Sequence, residues 1–420
     1  MSKTDPIIDR DRLWADIVAL GAITDPARPY TRRSFSALFL EGRDWLGHRF
    51  REAGLSTHID AAGNLIGRRE GANPNGGTIV IGSHSDSVPS GGRFDGMAGV
   101  IAGLAIARDL RHHGIVLDHS LEIIDFLAEE PSEYGISCVG SRGITGMLSP
   151  ANLALRNKQD ETLETALIRM GGDPAKLDGA VRRDIAAAFE LHIEQGPVLE
   201  AREIDIGIVT AIVGIARIEI TFQGTAGHAG TTPMTLRRDP LIAAARLIGW
   251  IRDTAEAFAA RDRGHFVATT GIVEVLPNAS NVIPKTARIV IDARSEDRGL
   301  MDEFCAALDA ESLAVAGVAN VDRLGFARLS DSMPAACDPA LRALLRDSAS
   351  ALGCSSMEMA SGAGHDMAFV SLVAPSAMVF IPCKGGRSHT PEEWTTADQL
   401  GIGTEVMLDA ILRFDGGSSS

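Results

Sequence analysis

Two hydrophobic rhythms run along the chain, and they divide it into three stretches. In the first stretch, short apolar runs end in polar clusters. Positions 78–83 (TIVIGS), 120–127 (SLEIIDFL) and 186–193 (AAAFELHI) have this form, which suits strands buried on both faces. The third of these is compositionally open between helix and strand. Its abrupt stop at Glu194-Gln195-Gly196-Pro197 favours a strand. Between the first two, 98–110 spaces its apolar residues as a helix does. Alternation of strand and helix predicts an α/β layer fold with a mainly parallel sheet.

Near Gly214 the pattern changes to strict alternation. The segments 215–222, 265–275 and 287–293 read as half-exposed strands. A long amphipathic helix is predicted over 239–260, with Pro240 in its first turn. A helix over 297–308 and a strand over 319–324 complete a strand-helix-strand-strand-helix-strand order, which is ferredoxin-like. After about residue 329 the first rhythm returns, with a helix at 341–352, a strand at 377–381 and a closing helix at 395–412. The expected organisation is one α/β domain formed by 1–213 and 330–420, interrupted by a smaller α+β domain at 214–329.

Composition narrows the function classes. The chain has 420 residues, 45% hydrophobic and 23% charged, with a formal net charge of −15. That excess argues against nucleic-acid partners and anionic membrane surfaces. The five cysteines form no C-x-x-C pair, so no disulfide framework or thiolate zinc site is expected. The polar start MSKTDPIIDRDRLW has no apolar signal core, and no apolar stretch approaches bilayer length. The expectation is a cytoplasmic protein with a short flexible tail at 416–420.

Candidate chemistry collects at the ends of the apolar runs, where open α/β sheets place ligands. GSHSD (82–86) carries His84 and Asp86, and GGRFDG (91–96) carries Asp95. Glu129-Glu130 follows the 120–127 run, His192 and Gln195 lie in LHIEQG, and GRSHTPEE (386–393) carries His389. Alone, each residue reads as a hydrogen-bonding group, a turn or a solvated face. Together, three imidazoles and two carboxylates at equivalent strand ends form a donor set for a borderline divalent cation such as zinc; a more oxygen-rich site would suit manganese or cobalt. Adjacent carboxylates at 129 and 130 can divide labour, one on metal and one on protons.

The segments GSHSDSVPSGGRFDG, FLAEEPSEYGISCVGSR, ELHIEQGPVLE, GTAGHAGTTPM, PNASNVIP, IDARS, SGAGHD and KGGRSHTPEE resemble the co-catalytic zinc aminoacylase and dipeptidase superfamily. GGRFDG and LHIEQGPVLE point to its N-carbamoyl-L-amino-acid amidohydrolase and allantoate amidohydrolase (hydantoinase-carbamoylase) branch. The resemblance spans residues 13–412.

It implies two divalent metal ions, zinc first, with manganese, cobalt or nickel as alternatives. His84, Asp95, Glu130, His192 and His389 would be the ligands. Asp95 would be shared, with His84 and His192 on one side and Glu130 and His389 on the other. Glu129 would be the general base, and Asp86 would orient His84. The inserted domain would serve as lid and homodimer interface. His228 would stabilise the oxyanion, while Asn281, Arg294 and Gln195 would contact a small carboxylate-bearing substrate. His365 and Asp366 match a family segment and are read as near-site or structural. The implied activity is hydrolysis of a linear carbamoyl C–N bond. The alternatives are an allantoate or ureido hydrolase, an N-acyl or small-peptide hydrolase, an aminohydrolase on an unusual nitrogen, and a non-catalytic relative. Two departures bear on substrate identity: Pro131-Ser132-Glu133-Tyr134-Gly135 places an acid where the branch usually has a base, and Arg387 stands where a smaller residue is common.

Overall fold

A computed structural model describes residues 8–417 of the chain. Positions 418–420 of the expected flexible tail lie outside the described residues, while Gly416 and Gly417 end the closing helix Ala397–Gly417. Two compact units emerge. One combines Met1–Thr210 with Ala336–Ser420, and the other is Ala211–Ala335.

The first unit is built on a nine-stranded mixed sheet. Its strands run in the order Ser56–Ile59, Leu65–Arg69, Ser120–Phe126, Thr78–His84, Ile185–Ile193, Ser376–Ile381, Ile206–Ile212 and Ala335–Ala336, with Ser356–Ser361 also pairing Ile206–Ile212. Ser120–Phe126, Thr78–His84, Ile185–Ile193 and Ser376–Ile381 pair in parallel, and the pairs outside them with a recorded register are antiparallel. The parallel centre matches the apolar runs, because helices cover both faces and leave no polar side. All seven residues of Thr78–His84 are buried, as are all seven of Ser120–Phe126. Helix Met97–His112 buries an unbroken stretch from Met97 to Ala107, which fits its Gly- and Ala-rich sequence.

Register is what makes the sheet functional. His84 lies beside Phe126, Ile81 beside Phe189 and Ile381 beside Ile193. Parallel pairing in this register brings the carboxyl ends of four strands to one edge.

The second unit is an α+β layer. Its four-stranded sheet has the order Asp322–Asp331, Gly214–Gln223, Thr286–Ser295, Phe266–Leu276, all antiparallel. Helices Pro240–Ala259 and Arg298–Val318 supply its core with Leu247, Ile251, Phe304 and Leu308. Asp239 caps the first of these helices through Leu241 N–H, with Pro240 at the position expected for it. The element order is the strand-helix-strand-strand-helix-strand pattern.

Two expectations are corrected. The helix predicted to stop at 308 continues to Val318, because Leu308, Ser312, Val315 and Ala316 extend its buried stripe at helical spacing. The following strand therefore starts at Asp322 instead of 319. Helices Arg10–Gly21 and Ala37–Glu52 had no predicted counterpart; charged residues interrupt their apolar spacing.

Phe304 is fully buried, with ring centroids 5.0 Å from Phe266 and 5.8 Å from Phe258. Phe304→Ala should destabilise the protein by about 3–5 kcal/mol in chemical denaturation. A loss below about 1 kcal/mol would contradict this account of the core.

Candidate metal centre

Asp95 stands in the middle of the strand-end cluster, and its two oxygens face different groups. Oδ1 lies 3.1 Å from His192 Nε2 and 3.6 Å from His84 Nε2. Oδ2 lies 3.1 Å from His389 Nε2, which is itself 3.4 Å from Glu130 Oε1. His84, Asp95 and His192 form one set of donor atoms within 4.8 Å of one another, and Asp95, Glu130 and His389 form a second. Two imidazole nitrogens with a carboxylate oxygen, and one imidazole with two carboxylates, fit borderline divalent cations. All five side chains predicted as ligands therefore come together.

The backbone around them is shaped for close approach. Gly96 has φ 66°, and a Cβ there would sit 2.4–2.5 Å from the His84 ring. Ala128, Cys138, Gln195 and His389 all adopt left-handed backbone angles. Such conformations cost energy for non-glycine residues and gather where surrounding structure imposes them.

Hydrogen bonds set the ring tautomers. His84 Nδ1 is 3.0 Å from the Asp86 carbonyl oxygen, and His192 Nδ1 is 2.8 Å from that of Ile193. A carbonyl only accepts, so each neutral ring carries its proton on Nδ1 and turns the Nε2 lone pair toward Asp95. Asp86 acts on His84 through its backbone, with its Oδ1 farther away at 3.5 Å. That same Oδ1 accepts the N–H of Glu129 at 3.3 Å, linking the two strand ends. Beneath them, a buried ion pair joins Arg43 to Asp125, and Asp125 accepts the Ser85 hydroxyl. Arg32, also buried, donates to the Ser85 carbonyl.

Glu129 Oε2 lies 3.6 Å from His84 Nε2, and the Cys138 thiol lies 3.5 Å from Oε1. Burial, with Asp366, Glu130 and Asp86 close by, raises the Glu129 carboxyl well above its ordinary value. Burial and Asp95 push Glu130 up to about 7. The hydrogen bond to Asp95 leads the causes that raise His389 to about 9. These are the directions expected of clustered donors without a cation among them, since bound cations reverse local pKa logic.

Gln195 donates through Nε2 to Asp95 Oδ2 at 2.8 Å, and its Oε1 is buried without a partner. His365 packs its ring 4.6 Å from that of His192 and pairs with the Ser361 hydroxyl, while Asp366 accepts from Ser141. In the second unit His228 pairs with Val282 on a two-stranded ladder, and Ala229 N–H donates to the carbonyl of Asn281, just before that strand. His228 Nδ1 accepts from Gly230 N–H, placing the proton of the neutral ring on Nε2, the tautomer a donor needs. Arg294 Nε donates to Asp292 at 2.7 Å.

Several site residues escaped the sequence reading. Glu190 is fully buried, accepts the Ser83 hydroxyl at 2.7 Å, and forms a third candidate set with His192 and His365. Its spacing of two from His192 on one strand was the available signal. Ser388 and Glu393 flank His389 and had none.

Residues 80–413 match the profile of peptidase family M20/M25/M40. The chain belongs to this family. It is 37% identical over 408 residues to the N-carbamoyl-L-amino acid amidohydrolase of Geobacillus stearothermophilus, covering 96% of this chain and 98% of that one. It is 34% identical over 365 residues to the allantoate amidohydrolase of Bacillus subtilis, covering 86% of each. A hydantoinase/carbamoylase family amidase from Burkholderia multivorans superposes with a TM-score of 0.90 at 35% identity, covering 97% and 98% of the two chains. As a member of the M20/M25/M40 family, the chain presents its candidate metal ligands on the strand ends of the family's mixed α/β unit. No helix among the described residues is long and apolar enough to cross a membrane.

In metal-free protein, His389 should titrate near 9 instead of 6.5, read by NMR of the ring nitrogens. The sign follows from linkage. A raised imidazole pKa contributes stability in full below about 6.5, and this contribution is lost as pH rises through about 9. Saturating zinc should remove the titration. An ordinary value in metal-free protein would contradict the Asp95 contact.

Proposed function

We propose that the protein is a metal-dependent amidohydrolase that cleaves the carbamoyl C–N bond of N-carbamoyl-L-amino acids. The products would be the amino acid, carbon dioxide and ammonia. The observation that carries this reading is the two-sided Asp95 carboxylate, with histidines on both oxygens and Glu129 alongside. The 37% identity to a carbamoyl amino acid hydrolase along almost the whole chain supports the choice of substrate class.

In this reading His84, Asp95 and His192 hold one divalent cation, and Asp95, Glu130 and His389 hold a second, with zinc in both. Such a pair supplies Lewis acidity and brings the pKa of water toward neutrality. Glu129 takes the proton of the attacking water at its carboxylate and passes it to the leaving nitrogen. Its burial excludes bulk water from that exchange, and the Cys138 thiol stands against one of its oxygens. Asp86 keeps the His84 tautomer. Gln195, already donating to Asp95, has a free acceptor in Oε1 for the substrate's urea N–H. His228 Nε2–H and the Asn281 amide stabilise the oxyanion, and Arg294 takes the substrate carboxylate in the fork geometry a guanidinium offers. A lid role and a homodimer interface for the second unit, and a cytoplasmic location, belong to the same reading.

Allantoate is the second substrate reading, favoured by the 34% relative, and the loop after Glu130 departs from the pattern usual in the branch. That loop is anchored by Tyr134, whose hydroxyl donates to Glu161 at 2.6 Å, and it leaves Glu133 exposed.

A panel of N-carbamoyl, N-acyl, allantoate and dipeptide substrates, assayed with zinc or manganese, should give turnover of an N-carbamoyl-L-amino acid. Failure to hydrolyse any ureido compound would sink the proposal. Glu129→Gln should lower kcat by about 10²–10⁴-fold while zinc content stays at two per chain. Retained turnover in that variant would remove Glu129 as the base.

A further inference from the structure

Glu393 is buried to 1% exposure close to the candidate metal centre, and no step of the proposed reaction uses it. Its Oε1 accepts two backbone N–H groups, from Phe94 at 2.8 Å and from Asp95 at 3.0 Å. Its Oε2 accepts the Ser388 hydroxyl at 2.8 Å. Ser388 Oγ also stands 3.1 Å from Asp95 Oδ2, the oxygen that receives the Gln195 amide. One carboxylate therefore grips the backbone of Asp95 directly, while the single Ser388 proton serves either this carboxylate or the Asp95 side chain. The loop at 91–96 is cut to admit it, since a Cβ on Gly92 would lie 1.8–2.3 Å from the Glu393 carboxylate atoms.

The two loops joined in this way are almost 300 residues apart in sequence, and they carry Asp95 and His389. A carboxylate taken out of water is retained when charge-assisted donors replace its hydration, and Glu393 has three. We infer that Glu393 is a positioning residue: it fixes the backbone at Asp95, so that both Asp95 oxygens face their histidines before any cation arrives. The inference rests on the proposed role of Asp95 as a shared ligand.

The test is zinc titration of metal-free full-length protein against a competing chromophoric chelator, with thermal melting of each metal-free variant. The parent should take up two zinc ions. Glu393→Ala should bind them about 10–100-fold more weakly while still melting cooperatively. Gly92→Ala, which keeps the carboxylate but displaces it, should show the same loss. Glu393→Gln should stay within a few-fold of the parent, because its amide oxygen still accepts both N–H groups and its NH2 can donate to Ser388. Parental affinity in Glu393→Ala or Gly92→Ala, with two zinc ions bound by the parent, would overturn the positioning role alone. So would a Gln variant as weak as Ala. A parent that binds fewer than two zinc ions would overturn the reading of the site and this inference with it.

Discussion

The architecture turns on one carboxylate with imidazoles on both of its oxygens. Asp95 is buried, and its opposed oxygens face His192 and His84 on one side and His389 on the other. Burial would raise its carboxyl, but the three histidines beside it outweigh that and hold it well below the usual carboxylate range. No local segment could arrange this. The imidazoles come from the last residue of one central strand, the next-to-last residue of another and the loop after a third. The carboxylate sits in a loop preceding a helix. Parallel register is the condition that brings them to one edge.

Placing so much charge out of water is costly, and the surroundings show how the cost is offset. Arg43 pairs with Asp125, Arg32 donates to the Ser85 backbone, and Asp125 in turn accepts the Ser85 hydroxyl. The last two of these meet at Ser85, between His84 and Asp86, and the first holds Asp125 in place for it. A buried ion pair is weak evidence for stability but fixes orientation well, because a displaced partner leaves an uncompensated charge. Asp86, Asp125, Glu190 and Asp366 each keep one buried oxygen without a hydrogen-bond partner.

Much of the plan was legible in the chain. The runs 78–83 and 120–127 read as doubly buried strands because nothing polar interrupts them, and the change to alternation near Gly214 marked a sheet with one exposed face. Helix Arg298–Val318 was read short because Asp309 and Glu311 interrupt the apolar run, although the buried stripe continues past them. The flanking antiparallel strands and the first two helices were not legible, since their burial depends on neighbours distant in sequence. The ligand residues were visible as polar clusters at strand ends. Ser388 and Glu393 were not, because a single acid or hydroxyl carries no periodic signal, and Glu190 offered only its spacing of two from His192 on one strand.

The sequence by itself determined residue types, strand-end positions and the resemblance to a metallohydrolase family, because these depend on local order and spacing. Only the tertiary structure decided which oxygen of Asp95 meets which ring, which nitrogen of each imidazole is turned inward, and that Glu393 reaches across to hold the Asp95 loop. Those relations depend on contacts between segments hundreds of residues apart, and on a glycine at position 92 that matters only because another chain segment occupies the space beside it.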